Sequence, residues 1–378
     1  MKFIHLSDLH LGKRLNEYSL LDDQRYILNA ILDILDAEKP DAVLIAGDVY
    51  DKSVPSAEAV QLFDDLLVQL ADKTPHTFVI SGNHDSPERV SFGSRLMDSS
   101  GIHISRVYDG TLFPVTLRDG FGAVDVYMLP FLKPGHVRRF YPEEEIESYT
   151  DAVRCALSHR SGGTAGRSVL VTHQFVTGAS RSESEDISVG GTDNVDAAVF
   201  EGFDYVALGH LHSPQNCGEK IRYCGTPLKY SFSEARDVKS VTVAELDGGG
   251  FAGIRTVPLV PLHDMTELRG SYQELTARSF YLGTAWQEDY THITLTDEED
   301  IPDAIGKLRG IYHGLMRLDY DNARTRAGGS AAASAGPQHR SAPELFSDFF
   351  EMQNGRPMSD EQAAYMAKLM EKLGEGET

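Results

Sequence analysis

Cysteine and tryptophan are scarce in this sequence: its 378 residues hold three of the first and one of the second. Cys155, Cys217 and Cys224 form no C-x-x-C pair, so their spacing encodes neither a disulfide framework nor a thiolate zinc site. Long apolar runs are lacking too. No stretch reaches the ~18 residues a helix needs to cross a bilayer, and the first residues lack the pattern of a secretory signal. A cytoplasmic setting with no membrane contact is the expectation. Basic side chains are also in deficit, 35 against 57 acidic ones, for a net charge of −22. Nucleic-acid binders usually carry a basic footprint, so the balance speaks against one at first sight.

A hydrophobic content of 41% excludes a chain disordered throughout. The length allows roughly two or three domains whose cores need no covalent staples. Across residues 1–261 short apolar runs alternate with helical patterns. Strands are expected at Phe3–Leu6, Ala42–Ala46, Thr77–Ile80, Ser168–Val171 and Tyr205–Leu208. Ile27, Ala30, Ile31, Ile34 and Leu35 mark one helix face, and Val60, Phe63, Leu66, Leu67 and Leu70 another. Such alternation predicts an α/β layered fold. Runs such as Ala123–Met128 and Ser240–Ala244 make the sheets mixed rather than purely parallel.

Residues 262–322 read as a small α+β domain, with a strand over Thr291–Thr296 and a helix through Ile305, Leu308, Ile311 and Leu315. Residues 323–342, built on small side chains without periodicity, read as a flexible linker. Residues 343–378 carry two amphipathic patterns. One holds Leu345, Phe346, Phe349, Phe350 and Met352; the other opens on the capping-box signature Ser359-Asp-Glu-Gln362 and continues with Met366, Leu369, Met370 and Leu373.

The chemistry concentrates where the predicted strands end. Asp8-Leu-His10, Gly47-Asp48-Val-Tyr-Asp51, Gly82-Asn83-His84-Asp85, Thr172-His173-Gln174 and Gly209-His210-Leu-His212 each follow or close an apolar run. In open α/β sheets the crevice beyond the carboxyl ends of the strands is the binding place, so all five segments can converge there. Carboxylate, amide and imidazole donors suit manganese, iron or zinc, and no cysteine joins them. Taken alone, an Asp-x-His is ordinarily a hydrogen-bonding pair and a Gly-Asp an ordinary turn. All five in one order leave little room for that reading. His5, inside a strand pattern, and His76, at the start of one, are expected to pack rather than ligate. None of the cysteines belongs to a nucleophile signature.

These segments resemble the calcineurin-like metallophosphoesterase superfamily. Ser7–Gly12, Ala46–Asp51, Ser81–Ser86, Ala207–His212 and Arg222–Pro227 narrow the likeness to its SbcD-type DNA nucleases, as do Gly178–Ser182 with Val189-Gly-Gly191 and the tail from Pro343-Glu-Leu-Phe346. The resemblance implies a layered metallophosphoesterase fold with the α+β unit as a cap and a helical tail. It implies two divalent metal ions, manganese foremost, sharing Asp48. Asp8, His10 and His212 would hold one ion, and Asn83, His173 and His210 the other. His84 would stand apart to orient the phosphate or protonate the leaving oxygen, with Asp51 or Asp85 holding its ring. The activity implied is 3′-5′ exonuclease and hairpin or blocked-end endonuclease. The partners implied are DNA, a second copy of the chain, and an SbcC-type ABC ATPase bound through residues 343–378.

Lys13 and Arg14, directly after the first motif, are candidate phosphate contacts; Arg138-Arg139 reads as a solvated pair. Two alternatives stand beside the nuclease: a phosphoesterase for a small substrate, and a non-catalytic scaffold. The net charge itself loses its force against DNA. Two divalent cations would be the largest charges in the cleft, while acids gather elsewhere, as in Glu143–Glu145 and Asp297–Asp300.

Overall fold

Strands that are apolar on both faces must be covered on both, and the chain meets that demand with two sheets packed face to face. The computed structural model describes residues 1–163, 166–180, 185, 193–323, 325–326, 346–347, 350, 357–359, 361–366 and 369–370. The first sheet has six strands in the spatial order Gly250–Pro258, Ser240–Asp247, Lys2–Leu6, Ala42–Ala46, His76–Ile80, Ile102–Ile104. Its last four strands are parallel, and the two late ones are added antiparallel. The second sheet runs Gln215–Asn216, Ile221–Tyr223, Tyr205–Gly209, Arg167–His173, Gly122–Leu129, Val115–Asp119, with a parallel centre and antiparallel edges. Mixed sheets are what the sequence predicts.

The inner faces interlock. Phe3, Leu44, Ala46, Phe78 and Ile80 meet Val124, Val126, Val169, Val171, Tyr205 and Ala207 in one buried cluster. The outer face of the first sheet, including Ile4, Val43, Ile45 and Val79, is covered by Ile27, Ile31 and Leu35 of the helix Leu21–Glu38 and by Phe63, Leu66 and Leu70 of the helix Ala57–Lys73. The outer face of the second sheet takes Ala152, Val153 and Ala156 of the helix Tyr149–Ser158. The result is a four-layer sandwich, helix–sheet–sheet–helix. His5 stitches the two sheets rather than binding anything: Nε2 lies 3.1 Å from the Leu208 carbonyl and Nδ1 lies 2.8 Å from the Tyr205 hydroxyl. Burial, aided by the Arg222 charge, pushes its pKa down to about 3, so the ring is neutral. His76 is half-buried with its Nδ1 3.2 Å from His103 Nε2.

Met265–Gly270, Tyr290–Leu295 and Gly314–Tyr320 form a separate parallel sheet with its own core of Leu268, Leu275, Ile293, Leu295, Leu308, Tyr312 and Leu315. One expectation fails in this unit. The helix is only Ala304–Arg309, and Leu315, the last residue of the helical periodicity, points inward from a strand. Gly310 closes the helix, and the next strand already starts at Gly314, so a four-residue apolar repeat runs across two elements. In the tail, the Ser359 capping box forms reciprocally: Ser359 N–H donates to Gln362 Oε1 at 3.0 Å and Gln362 N–H to Ser359 Oγ at 3.3 Å. Linker residues 327–342 and most of both amphipathic patterns lie outside the described residues. Among the described residues no helix is long and apolar enough to cross a membrane.

Asp23 fastens the third sheet to the sandwich. It sits on the buried side of the helix Leu21–Glu38, accepts from His263 Nδ1 at 2.9 Å, and accepts from the Tyr290 hydroxyl at 2.7 Å. Removing an acceptor that leaves buried donors unpaired costs about 1–3 kcal/mol. Asp23→Ala should therefore speed amide hydrogen exchange across residues 265–320 while the central strands stay protected. Unchanged protection in 265–320 would remove Asp23 as the fastening.

Candidate metal centre

The parallel strands end nearly level: Leu6 pairs with Ile45, Ala46 with Ile80, and Gly209 with His173. Whatever follows each strand is therefore delivered to one edge of the sandwich. Turning the donors inward takes unusual backbone. Asp8, His10, Asp48 and His210 all have positive φ, at 52°, 44°, 48° and 104°. For non-glycine residues that region is sparsely populated and strained, and such strain gathers at functional sites. Two glycines make the close approach possible. A Cβ on Gly82 would fall 2.1 Å from Asp48 Oδ1, and one on Gly209 would fall 1.9 Å from the Ala46 carbonyl oxygen and 2.7 Å from His173 Nδ1.

The structure brings all seven expected ligands together. Ligand atoms of Asp8, His10 and His212 lie within 4.8 Å of one another, and so do those of Asp8, Asp48 and His173. Asn83 Oδ1 sits 2.9 Å from His173 Nε2 and 3.0 Å from His210 Nδ1. Asp48 is central: Oδ2 is 3.3 Å from His173 Nε2 and 3.7 Å from His10 Nε2, and Oδ1 accepts the His84 N–H at 2.9 Å. Asp8, His10, Asp48, His173, His210 and His212 are each at most 7% exposed.

Such a cluster asks for cations. His173 Nδ1 is 2.8 Å from the Ala46 carbonyl, an acceptor only, so Nδ1 carries hydrogen and Nε2 is the nitrogen that faces the Asp48 and Asn83 oxygens, where a proton or a metal ion can sit. Burial opposes a charged ring there, yet the Asp48 carboxylate outweighs it and holds the His173 pKa up at about 9. Burial would likewise raise Asp48, but the His173 charge overrides it and keeps the carboxyl well below its ordinary range. His10 and His212 face each other Nε2 to Nε2 at 3.2 Å, a pairing that one shared proton or one metal ion satisfies. Imidazole, carboxylate and amide oxygen around two adjacent centres fit a pair of borderline or hard divalent cations.

Around these donors lies a ring of partners that local sequence patterns do not reveal. Glu234, fully buried, has Oε1 3.4 Å from His212 Nδ1, and Lys239 Nζ donates to its Oε2 at 2.6 Å. Carboxylates behind a ligating histidine fix its tautomer and orientation. Gln24 donates Nε2 to the His10 carbonyl at 2.7 Å and accepts the Gly12 N–H at 2.9 Å, gripping both ends of the first motif turn. A signal for it exists: Gln24 is a polar residue in the apolar register of Ile27, Leu28 and Ile31. Glu234 has none, since it comes from a short 3-10 turn.

The residues placed around His84 need correction. His84 Nδ1 lies 3.2 Å from the backbone carbonyl of Asp51, not from a carboxylate. The Asp51 carboxylate pairs with Lys13 Nζ at 2.8 Å and lies 3.8 Å from His10 Nδ1. The Asp85 carboxylate accepts the backbone N–H groups of Val49, Tyr50 and Gly82 at 2.9–3.0 Å, so it shapes the Asp48 turn rather than the imidazole. Lys13 thus stands beside the cluster with its charge shared by Asp51. Arg14 is exposed in a two-stranded turn and donates to the Glu17 carbonyl. Cys224 is buried against Ser7 Oγ at 3.0 Å, and burial pushes its thiol up to about 12, out of nucleophilic range.

Comparison with known proteins agrees with this geometry. The profile of the calcineurin-like phosphoesterases matches residues 1–214, and that of the type 5 capsule protein repressor C-terminal domain matches residues 261–354. A curated relative, the SbcD component of nuclease SbcCD from Staphylococcus epidermidis, is 33% identical over 84% of this chain and 85% of its own length. The chain is a calcineurin-like phosphoesterase of the SbcD family. The Staphylococcus saprophyticus member of the family is 34% identical over 84% of both chains. A dimetal phosphatase from Danio rerio aligns over 69% of this chain at 10% identity and a TM-score of 0.38, too slight a likeness to carry weight.

For this SbcD-family chain, Glu234→Gln should weaken metal binding at the His212 side by about 10–100-fold, read as metal content after equilibrium dialysis. Retention of both ions at unchanged affinity would show that Glu234 serves only Lys239.

Proposed function

We propose that the chain is the DNA-cutting component of a nuclease complex and hydrolyses phosphodiester bonds with two divalent cations, manganese being the working metal. On this reading it trims from 3′ ends and cuts hairpin or blocked ends. The supporting observation is the convergence of seven hard or borderline donors, Asp48 central among them and His84 beside them, in a chain with curated relatives that are SbcD components of nuclease SbcCD. When bound, the two cations supply charge neutralisation and a lowered water pKa.

The chain's own residues do the rest. Asp48 holds the two halves of the cluster at one point. His84 Nδ1, facing a carbonyl that only accepts, carries hydrogen, which leaves Nε2 as the atom that exchanges a proton with the leaving oxygen. Nε2 lies 4.0 Å from Asp48 Oδ2, and the His84 side chain is 21% exposed, so the ring stands at the mouth of the cluster. Lys13, also at the mouth, offers its ammonium to a phosphate in exchange for Asp51. The parallel-sheet unit fastened by Asp23 caps the sandwich and helps select DNA shape.

The same reading gives the chain three partners. DNA is one, and an SbcC-type ABC ATPase held through residues 343–378 is another, docking two amphipathic sequence patterns each too short to make a stable helix alone. A second copy is the third, with the exposed Phe92 and Leu96 on the segment after Asn83-His84-Asp85 offering apolar surface. The site of action is the cytoplasm, at the nucleoid.

His84→Leu should lower manganese-dependent cleavage of a hairpin DNA by at least about 100-fold while both metal ions stay bound. Wild-type cleavage in that variant removes His84 from the chemistry. Failure of the unaltered chain, with and without the ATPase, to cut hairpin DNA while hydrolysing a small phosphodiester would replace the nuclease reading with the small-substrate one. Deleting residues 343–378 should end co-purification with the ATPase and spare metal-dependent nuclease activity; an intact complex refutes docking through the tail.

A further inference from the structure

A second cluster of metal-ligand side chains lies at the far end of the helix Tyr149–Ser158. Cys155 is on the buried side of its last turn, and His159 closes the helix four residues on, so the two side chains share a face. Glu144 reaches the same spot from the turn before the helix. The Cys155 sulfur, one His159 nitrogen and one Glu144 oxygen all lie within 4.8 Å of one another. Glu144 Oε1 is 3.3 Å from His159 Nε2, and Cys155 Sγ is 3.8 Å from His159 Nδ1.

Hydrogen bonding sets the direction of the imidazole. His159 Nδ1 lies 2.9 Å from the Cys155 carbonyl oxygen, which only accepts, so Nδ1 carries hydrogen. In the neutral ring the Nε2 lone pair then faces the Glu144 carboxylate. Two acceptors at that separation need a cation between them, either a proton or a metal ion. The Tyr141 ring stacks on His159 with centroids 3.8 Å apart and planes 25° from parallel, which fixes the ring where it is. Core side chains wall the sulfur side, where Cys155 is 5% exposed, while the His159 and Glu144 side chains are 36% and 44% exposed. The imidazole and the carboxylate are thus the solvent-facing members of the cluster.

We propose that Cys155, His159 and Glu144 form a third metal site, for a zinc-like ion with water as its fourth ligand. Sulfur, imidazole and carboxylate are zinc's donor types, and ligands about 2.0–2.3 Å from a tetrahedral ion stand at separations close to the 3.3 Å seen between Nε2 and Oε1. The thiolate sets this site apart from the sulfur-free centre around Asp48 and makes it selective for softer ions. Burial and the Glu144 carboxylate hold the Cys155 thiol up at about 12, so the ion must displace its proton, which leaves to solvent. The ion would tie the turn at Glu144 to the helix end, about 15 Å along the helix from Tyr149, whose ring is 6.4 Å from Phe131, which in turn lies 6.3 Å from the His173 ring. It is a clamp rather than a catalytic ion.

Titrating the metal-free, full-length chain with Co2+ tests the site, because a cobalt–thiolate bond absorbs strongly in the near ultraviolet and the Asp48 centre offers no sulfur. The band should saturate at one thiolate-bound ion per chain, fade on adding zinc, persist in Cys217→Ser and vanish in Cys155→Ser. His159→Gln and Glu144→Gln, both at partly exposed groups, should each weaken cobalt binding in this band at least tenfold. No thiolate band in the unaltered chain, or a band that survives Cys155→Ser, overturns the site. Should Cys155→Ser fail to fold, unchanged affinity in both other variants overturns it equally.

Discussion

The edge of the sandwich is governed by an unmet electrostatic demand. Asp8, Asp48 and the imidazoles of His10, His173, His210 and His212 are buried together, with lone pairs aimed at lone pairs. Protons relieve part of the conflict, as the elevated pKa of His173 records. Divalent cations held by the same donors would relieve it further. The positive φ angles, the glycines that cannot bear a Cβ, and the carbonyl of Ala46 behind His173 all serve to hold that conflict in place. Without them the side chains would relax apart and the charge would be solvated instead.

The support is arranged in two tiers, and the second explains why the first is rigid. Gln24 holds the His10 turn, Asp85 gathers three backbone N–H groups under the Asp48 turn, and Glu234 with Lys239 stands behind His212. Each of these is itself buried and hydrogen-bonded, so its desolvation is offset within the network. His84 differs in kind. The Asp51 backbone carbonyl faces its Nδ1, while the Asp48 carboxylate holds its backbone N–H, so its position follows both turns. The net charge of −22 fits this picture, since the acids that matter to the site are neutralised locally.

Much of this is legible in the linear chain. The strand ends at Leu6, Ala46, Ile80 and Gly209 and the donors after them follow from apolar runs broken by glycine and by turn residues, which is local information. The helix faces through Ile27, Ile31 and Leu35 and through Phe63, Leu66, Leu67 and Leu70 are legible for the same reason, whereas Val60, expected on the second face, is 45% exposed because Ala59 and Leu62 take the buried side. The pattern through Leu315 misleads because three-to-four periodicity persists when a short helix, a turn and a buried strand follow one another. Asp51 and Asp85 mislead because both are adjacent to His84 or its motif in sequence, while the direction of a carboxylate depends on which backbone amides lie nearby in space.

By itself, the sequence determined the class of chemistry: donor types, their order, and their attachment to strand ends that must sit side by side in any parallel sheet. Only the tertiary structure decided which atoms orient those donors. Glu234, Gln24 and the Asp51 carbonyl reach the site from turns and helices whose local patterns say nothing of metals. The same holds for Cys155, His159 and Glu144, whose spacing contains no recognisable zinc motif and which come together only because a helix end packs on its preceding turn. Ligand type is a property of the residue, whereas lone-pair direction is a property of the packing around it.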